Sequence, residues 1–545
     1  MKIKFLLLSS LIFVGGMTMK VSAASYADGI EYFKSGQPDR AKIILQRTFN
    51  DASTNKAEAC YYLGEIYSGM QKNDSAMYYY KEGIKIDPLY PFNKIGEAKL
   101  MLKSNTKGAE SIFKEILKEK ANKKNPAVQL AIAKAYYENV MPEYQKYLDK
   151  AIDADKKFAE TYLFQGDMLV DKKQYGDACG YYEMAISFDV NCVPAYVKYA
   201  NIYFPINSTL AIQKLEDLKA LAPNSAIMQR ELAEAYYKNN QFGKAVDAYA
   251  QYMANPNHFD SDQPRYAALL FFDKKYDESL ALVNELLKKD PNNFVLKRLA
   301  MYNYNELKQY DKALEAAKTF MPTLDNPGFT SRDYVMYGAI LIENKQADQA
   351  IPLYEKALQV DTANVQLYQD LSDAYRMAGQ YGKSADAYKE YMKRTGEAST
   401  MDYFSLGGIY YRAGSTAPST TPEELAVKNA YFMEADSLFT LVAERAPEDY
   451  RGFLWRARAN AGLDPETEQG LAKPYYEQAM VLLEKDPSSK SALVECYKYL
   501  GYYNYLKEYA GNVKGFPETR KYWNKVLEVS PESADIKAAL DQLPK

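Results

Sequence analysis

Imidazole chemistry has one possible carrier in this chain, His258, set in the polar loop Asn255-Pro256-Asn257-His258. A single histidine excludes multi-histidine metal sites, and an exposed loop residue is a far better account of it than a general base. The cysteines Cys60, Cys179, Cys192 and Cys496 form no CxxC and stand far from His258 in sequence, so zinc and thioredoxin-like readings fail. Cys179 and Cys192 are separated by mostly helix, about 20 Å at about 1.5 Å per residue, so isolated thiols in helical packing are expected. No GxSxG, GxxxxGK[ST] or HExxH occurs. Acidic neighbours such as Glu423 and Glu424 are common because 71 residues are Asp or Glu. A solvated helix face explains them better than a glycosidase pair. The expectation is a non-enzyme with no catalytic, cofactor-binding or metal-binding residues, hence no cofactor.

What remains is binding chemistry, and the composition favours it. The chain has 545 residues, 47% hydrophobic and 26% charged, with 51 Tyr against 22 Phe and 2 Trp. Tyrosine fills an interface while keeping its hydroxyl in water, which suits half-buried helix faces. The formal net charge is −3 with no basic block, which speaks against nucleic acid and anionic lipid. Lys2 and Lys4, the apolar stretch Phe5 to Met19 and the small residues Val21-Ser22-Ala23-Ala24 read as a signal peptide over residues 1–23. That stretch is shorter than the roughly 20 apolar residues of a membrane span. An exported protein is expected, periplasmic, associated with the outer membrane or secreted, with no direct membrane span.

The elements that must position any binding residues repeat along the chain. Phe242, Tyr276 and Tyr310 are 34 residues apart, as are Tyr236, Leu270 and Tyr304, and Ala245, Ser279 and Ala313. Leu63-Gly64-Tyr67…Ala76…Tyr80…Gly83…Pro88 shows one full period, and Tyr337-Gly338-Leu341…Ala350…Tyr354…Ala357 another. On these positions the chain resembles the tetratricopeptide-repeat family, whose unit is a helix–turn–helix of about this length. The resemblance implies an all-α, right-handed α-α superhelix of about fourteen such units. Small residues such as Gly64, Gly166, Gly338 and Gly407 are expected to let paired helices approach, Gly338 facing Ala350. Asp87-Pro88, Asp290-Pro291 and Asp486-Pro487 are expected to end second helices, since Pro disfavours helix at the residue before it. The solenoid should run over 24–532, with loose links near 254–264 and 321–330 and an insertion near 414–429. Within that insertion Thr421-Pro422-Glu423-Glu424 reads as a helix start. Residues 533–545 should form a capping helix with a polar outer face.

The resemblance also implies that first helices line a concave groove. Carrying the family's groove register across gives Tyr61 and Glu65, Leu163 and Asp167, then Val197 and Asn201. Further on it gives Arg230, Glu234 and Tyr237, then Arg298 and Tyr302. The last sets are Gln369, Asp373 and Arg376, then Phe404 and Tyr411. Tyr and Arg are frequent hot-spot residues, so a protein or peptide partner is expected. Arg230, Glu234 and Tyr237 share one helix face toward the groove, and Arg230 and Glu234, four apart, either meet a partner there or pair with each other. The Lys–Asn pattern with which some relatives grip a terminal carboxylate is missing from the first units, where Tyr26, Ile30, Tyr61 and Glu65 stand instead. A scaffold for cell-envelope assembly or transport is the leading expectation, and a glycan-binding outer-membrane subunit the alternative.

Overall fold

A computed structural model describes residues 25–485 and 489–544. The signal-peptide segment and the Asp486-Pro487 breaker lie outside the described residues. Among those residues the chain is helical throughout, an α-α superhelix of antiparallel helix pairs closed by the short helix Ala534–Gln542. It divides into two compact units, one ending at Leu299 and the other beginning at Ala300.

The same local chemistry builds each pair. Side chains of Asn55, Asn105, Asn125, Asn207 and Ser225 accept backbone N–H groups at the starts of helices. The turn inside a pair needs one left-handed residue, supplied by Asn240, Lys274 and Lys308 at φ of 57°, 61° and 56°. A second helix then ends in an extended residue, as at Asp87, Asp155 and Asp189.

The two helices of a pair are held close by a glycine under an aromatic ring. A Cβ at Gly64 would lie 2.3 Å from the Tyr80 ring, at Gly166 2.4 Å from Tyr182, and at Gly407 2.8 Å from Phe439. Gly338 follows the same rule, with its would-be Cβ 2.9 Å from Tyr354. This corrects the expected Gly338–Ala350 contact: the ring fills the space between the helices, and Ala350 is buried beside it. Burying such a ring stabilises the pair by about 1.5–3 kcal/mol.

In the N-terminal unit the chain returns onto its own beginning. The first pair, Tyr26–Lys34 and Pro38–Thr48, shares one core with helices Val193–Tyr203, Ala226–Lys238 and Phe242–Met253. Tyr32 is fully buried and meets the edge of Phe259 at 5.7 Å. Polar contacts ring that core. Gln37 donates to Glu231 at 2.8 Å, Ser225 donates to Glu31 at 2.7 Å, and Lys34 pairs with Glu160. Arg40 grips both oxygens of Asp262 at 2.8 Å each. Residues 254–264 are therefore not a loose link. Asn257 is fully buried, donates to the Ser25 carbonyl at 3.0 Å and accepts from Arg47 at 2.6 Å. The link is pinned because it receives the first helix pair.

In the C-terminal unit, residues 321–330 are also fastened. Phe329 is buried between Phe320 and Tyr334, and the Tyr334 hydroxyl donates to the Leu324 carbonyl at 2.6 Å. The insertion lengthens both members of one pair, Thr400–Thr416 and Pro422–Arg445, the second capped by a Thr421–Glu424 box. Gly407 and Phe439 stand 32 residues apart, twice the Gly64–Tyr80 spacing, yet make the same contact. Chain was added at the tip of the hairpin without shifting its packed base. At the far end, Trp523, Phe516, Val526, Ile536 and Leu543 form the core over which the last helix closes.

Candidate functional site

In several first helices the residue after the buried small residue projects inward. These residues are Glu65 after Gly64, Lys99 after Ala98, Lys134 after Ala133 and Asp167 after Gly166. The same register gives Asn201 and Glu234. Because the first pair packs over the others, this inner surface becomes a half-open cavity of about 510 Å³. Phe33 and Lys34 line it from the first pair, and Glu58, Tyr61, Tyr62 and Glu65 from the second. Tyr90 and Phe92 follow, then Leu130, Lys134, Tyr137 and Glu138, then Glu160, Leu163, Phe164 and Asp167, with Lys198 beyond.

Its charges are held in fixed pairs. Lys99 is buried and bridges Glu65 at 2.8 Å and Glu138 at 2.9 Å, while Tyr80 donates to Glu65 at 2.6 Å. Burial disfavours the Lys99 ammonium, but Glu65 and Glu138 outweigh it and raise its pKa. Lys198 pairs with Asp167 at 2.6 Å, and Tyr182 donates to the same carboxylate at 2.8 Å. Thus the aromatic that fills the helix pair also orients the inward carboxylate. Lys134 stands 5.4 Å from the Phe164 ring, and burial lowers its pKa against the opposing pull of Glu160 and Asp167. Burial first, then the Glu65 charge, raises the Tyr61 hydroxyl well above its ordinary range. Tyr61, Tyr90 and Phe92 form a connected wall, with centroids 5.5 Å apart between Tyr61 and Phe92 and 5.0 Å between Tyr90 and Phe92.

Of the residues expected in the groove, Tyr61, Glu65, Leu163 and Asp167 come together in this cavity. Asn201 is exposed and does not line it, and Val197 is buried in the core under the first pair. Arg230 and Glu234 are not paired with each other. Arg230 bonds Glu231 at 3.0 Å and Asp262 at 3.2 Å, whereas Glu234 accepts both arms of Arg265 at 3.0 and 2.8 Å. Asp262 and Arg265, which stand at and just after the pinned link, outcompete the same-helix partner. Tyr237 lies under the Arg265 guanidinium at 3.9 Å.

Arg298 sits over Phe294 at 4.9 Å, in the N-terminal unit. In the C-terminal unit Tyr302 is buried and donates to Asp333 at 2.9 Å. Asp373 and Arg376 are exposed and pair at 2.8 Å, and Gln369 accepts from Gln366 at 3.1 Å. Phe404 and Tyr411 meet at Trp455, with centroids 5.9 and 5.2 Å away. Arg458 covers the same indole at 4.6 Å and forks onto Glu495 at 2.9 and 2.7 Å.

Sequence reasoning missed Glu58, Lys99, Lys134 and Trp455. The signal for both lysines was present, since each follows a small first-helix residue as Glu65 and Asp167 do. All four cysteines are buried and free. Burial pushes the Cys192 thiol up to about 11 and the Cys496 thiol up to about 12. Among the described residues, no group of His, Cys, Asp or Glu is placed to hold a metal, and no helix is long and apolar enough to cross a membrane.

A stack of helix pairs with a charged and aromatic inner wall defines the class of α-solenoid repeat proteins. A tetratricopeptide-repeat family model matches residues 341–398. The 34-residue period and the pairwise architecture continue on either side of that match, so repeats of the tetratricopeptide type extend well beyond it. It is 21% identical over 383 residues to the TPR repeat-containing protein YpiA of Bacillus subtilis (strain 168), covering 62% of this chain and 87% of that one. It is 22% identical over 275 residues to the Tetratricopeptide repeat protein 21 homolog of Caenorhabditis elegans, covering 44% of this chain and 20% of the relative, a fifth of its length. Among solved structures, the C-terminal part of a TPR repeat-containing protein from Cytophaga hutchinsonii is 29% identical. That match covers 51% of this chain and 99% of the other, with a TM-score of 0.39.

Proposed function

We propose that the chain is an exported scaffold that binds a protein or peptide partner in the cavity of its N-terminal unit and works in cell-envelope assembly or transport. The family supports a protein-binding scaffold, and the inner wall supports the site. The observation that carries the reading is that Glu65, Lys134 and Asp167, at one register position in three repeats, converge on a single cavity walled by Tyr61, Tyr62, Tyr90 and Phe164. Aromatic surface beside fixed charges is the composition of interface hot spots. Export rests on the basic, apolar and small-residue order of residues 1–23. The test is affinity capture from envelope extract. Tyr61→Ala combined with Tyr137→Ala should abolish recovery of a partner that wild type and Asn201→Ala both retain. Equal recovery by all three would place binding elsewhere.

A further inference from the structure

The cavity's charges are nearly balanced, and the imbalance has an address. Lys34, Lys134 and Lys198 line the cavity, Lys99 is buried behind the wall, and these four offset Glu65, Glu138, Glu160 and Asp167. Three of these lysines make the ion pairs described above. Lys134 lies within the fields of Glu160, Asp167 and, one helical turn along its own helix, Glu138. Two lining carboxylates are left over. Asp171 is exposed at the rim and accepts from the Tyr137 hydroxyl at 3.0 Å. Glu58 is half-buried, and its bonded partner is the Tyr26 hydroxyl at 3.1 Å, with no lysine or arginine at ion-pair distance among the described residues.

Glu58 also lacks the usual task of an acidic residue three places after an N-cap. Asn55 caps this helix by accepting the Glu58 N–H, but the Glu58 carboxylate does not return to the cap and no capping box forms. The carboxylate instead lines the cavity together with Tyr61, Tyr62, Tyr90 and Phe92. Tyr61 is one turn along the same helix, and its wall continues through Phe92 to Tyr90. Burial, then the Glu58 charge, raises the Tyr90 hydroxyl, which places Tyr90 within the field of Glu58. A half-buried carboxylate in a cavity lined by aromatic rings attracts an ammonium or guanidinium through its charge, and the rings add their quadrupoles. The neighbouring Tyr62 ring already receives one such group, the Lys34 ammonium at 5.9 Å.

We propose that Glu58, with Tyr61, Tyr90 and Phe92, is a subsite for a lysine or arginine side chain of an extended peptide bound in the cavity. This inference rests on the peptide-binding reading above and adds the charge of the partner: a basic residue is taken at this position, and an acidic one is rejected.

A phage-displayed library of random dodecapeptides, selected on the whole chain and in parallel on Glu58→Gln, tests it. The glutamine keeps an acceptor for Tyr26 and removes the charge. Wild type should enrich peptides with one Lys or Arg at a fixed position, and Glu58→Gln should lose that preference. A synthetic peptide from the selection should bind Glu58→Gln about ten- to a hundredfold more weakly than wild type. Norleucine in place of the basic residue should cost as much on wild type and little on Glu58→Gln. Comparing Lys with Arg at that position tells which cation is preferred. Glu115→Gln, on an exposed second-helix position outside the cavity, should bind as wild type does. Enrichment without a basic bias, or a bias that survives Glu58→Gln, would overturn this subsite alone. No enriched peptides on folded wild type would overturn the peptide-binding reading and the subsite with it.

Discussion

Arg40 and Asp262 are 222 residues apart in the chain, yet the guanidinium meets both carboxylate oxygens at 2.8 Å with only 8% of the Asp262 side chain exposed. Arg230 and Tyr252 bond the same carboxylate at 3.2 and 2.8 Å. These four side chains lock the first helix pair onto the seventh and turn the inner wall of the N-terminal unit into a cavity.

Removing one arm of this lock should open it without unfolding the rest. Arg40→Ala leaves Asp262 with two of its three partners, so the expected loss is about 1.5–3 kcal/mol. Contacts in a solenoid are nearest-neighbour elsewhere, so limited proteolysis should cleave first near residues 35–55 while the C-terminal unit stays resistant. An unchanged digestion pattern and urea midpoint would show that the pair docks through its apolar core alone.

The docked first pair should also respond to pH. Burial pushes the Glu31 carboxyl up to about 7 from an ordinary 4.5, offset in part by its bond from Ser225 and by Lys34, and reinforced by Asp28. A raised folded value means that the docked state prefers the protonated form. The contribution is complete below the ordinary value and is lost as pH rises through about 7, with an upper bound of about 3 kcal/mol. Docking should weaken between about pH 5 and pH 8. Glu31→Gln should flatten that profile in hydrogen exchange of the Tyr26–Lys34 helix.

The glycine under each ring predicts a paired contrast. Gly166→Ala would put a methyl 2.4 Å from Tyr182 and should cost about 1–3 kcal/mol in urea unfolding. Gly180→Ala, in the adjoining helix with nothing within 4 Å, should be neutral or stabilise by up to about 1 kcal/mol. Equal effects at both positions would refute ring contact as the reason for glycine.

The fold was legible because its rules are local and recur: a small residue, an aromatic sixteen places on, and a left-handed turn residue repeating every 34. Even the insertion kept Gly407 and Phe439 in register. Pairing across a helix pair was less legible. The ring of Tyr354, not Ala350, reaches Gly338, because the side chain's length and direction decide the contact rather than its place in the period. Least legible was the closure. Asn257 and Asp262 look like loop residues until a helix pair more than 200 positions earlier in the sequence docks on them, and no periodicity encodes that distance. For the same reason the bonds of Arg230 to Asp262 and of Glu234 to Arg265 could not be read from their helix alone, and Glu58 was passed over.

The cavity as binding site is tested most directly by a photocrosslinking amino acid, p-benzoylphenylalanine, placed at Tyr61 on the inner wall and, in a second protein, at Tyr78 on the outer face of the same helix pair. Tyr61 lines the cavity and Tyr78 is 60% exposed. Irradiation in cells should yield a covalent adduct with a partner polypeptide from position 61 and none from position 78. An adduct from position 78 with none from position 61 would contradict the assignment of the cavity as the binding site.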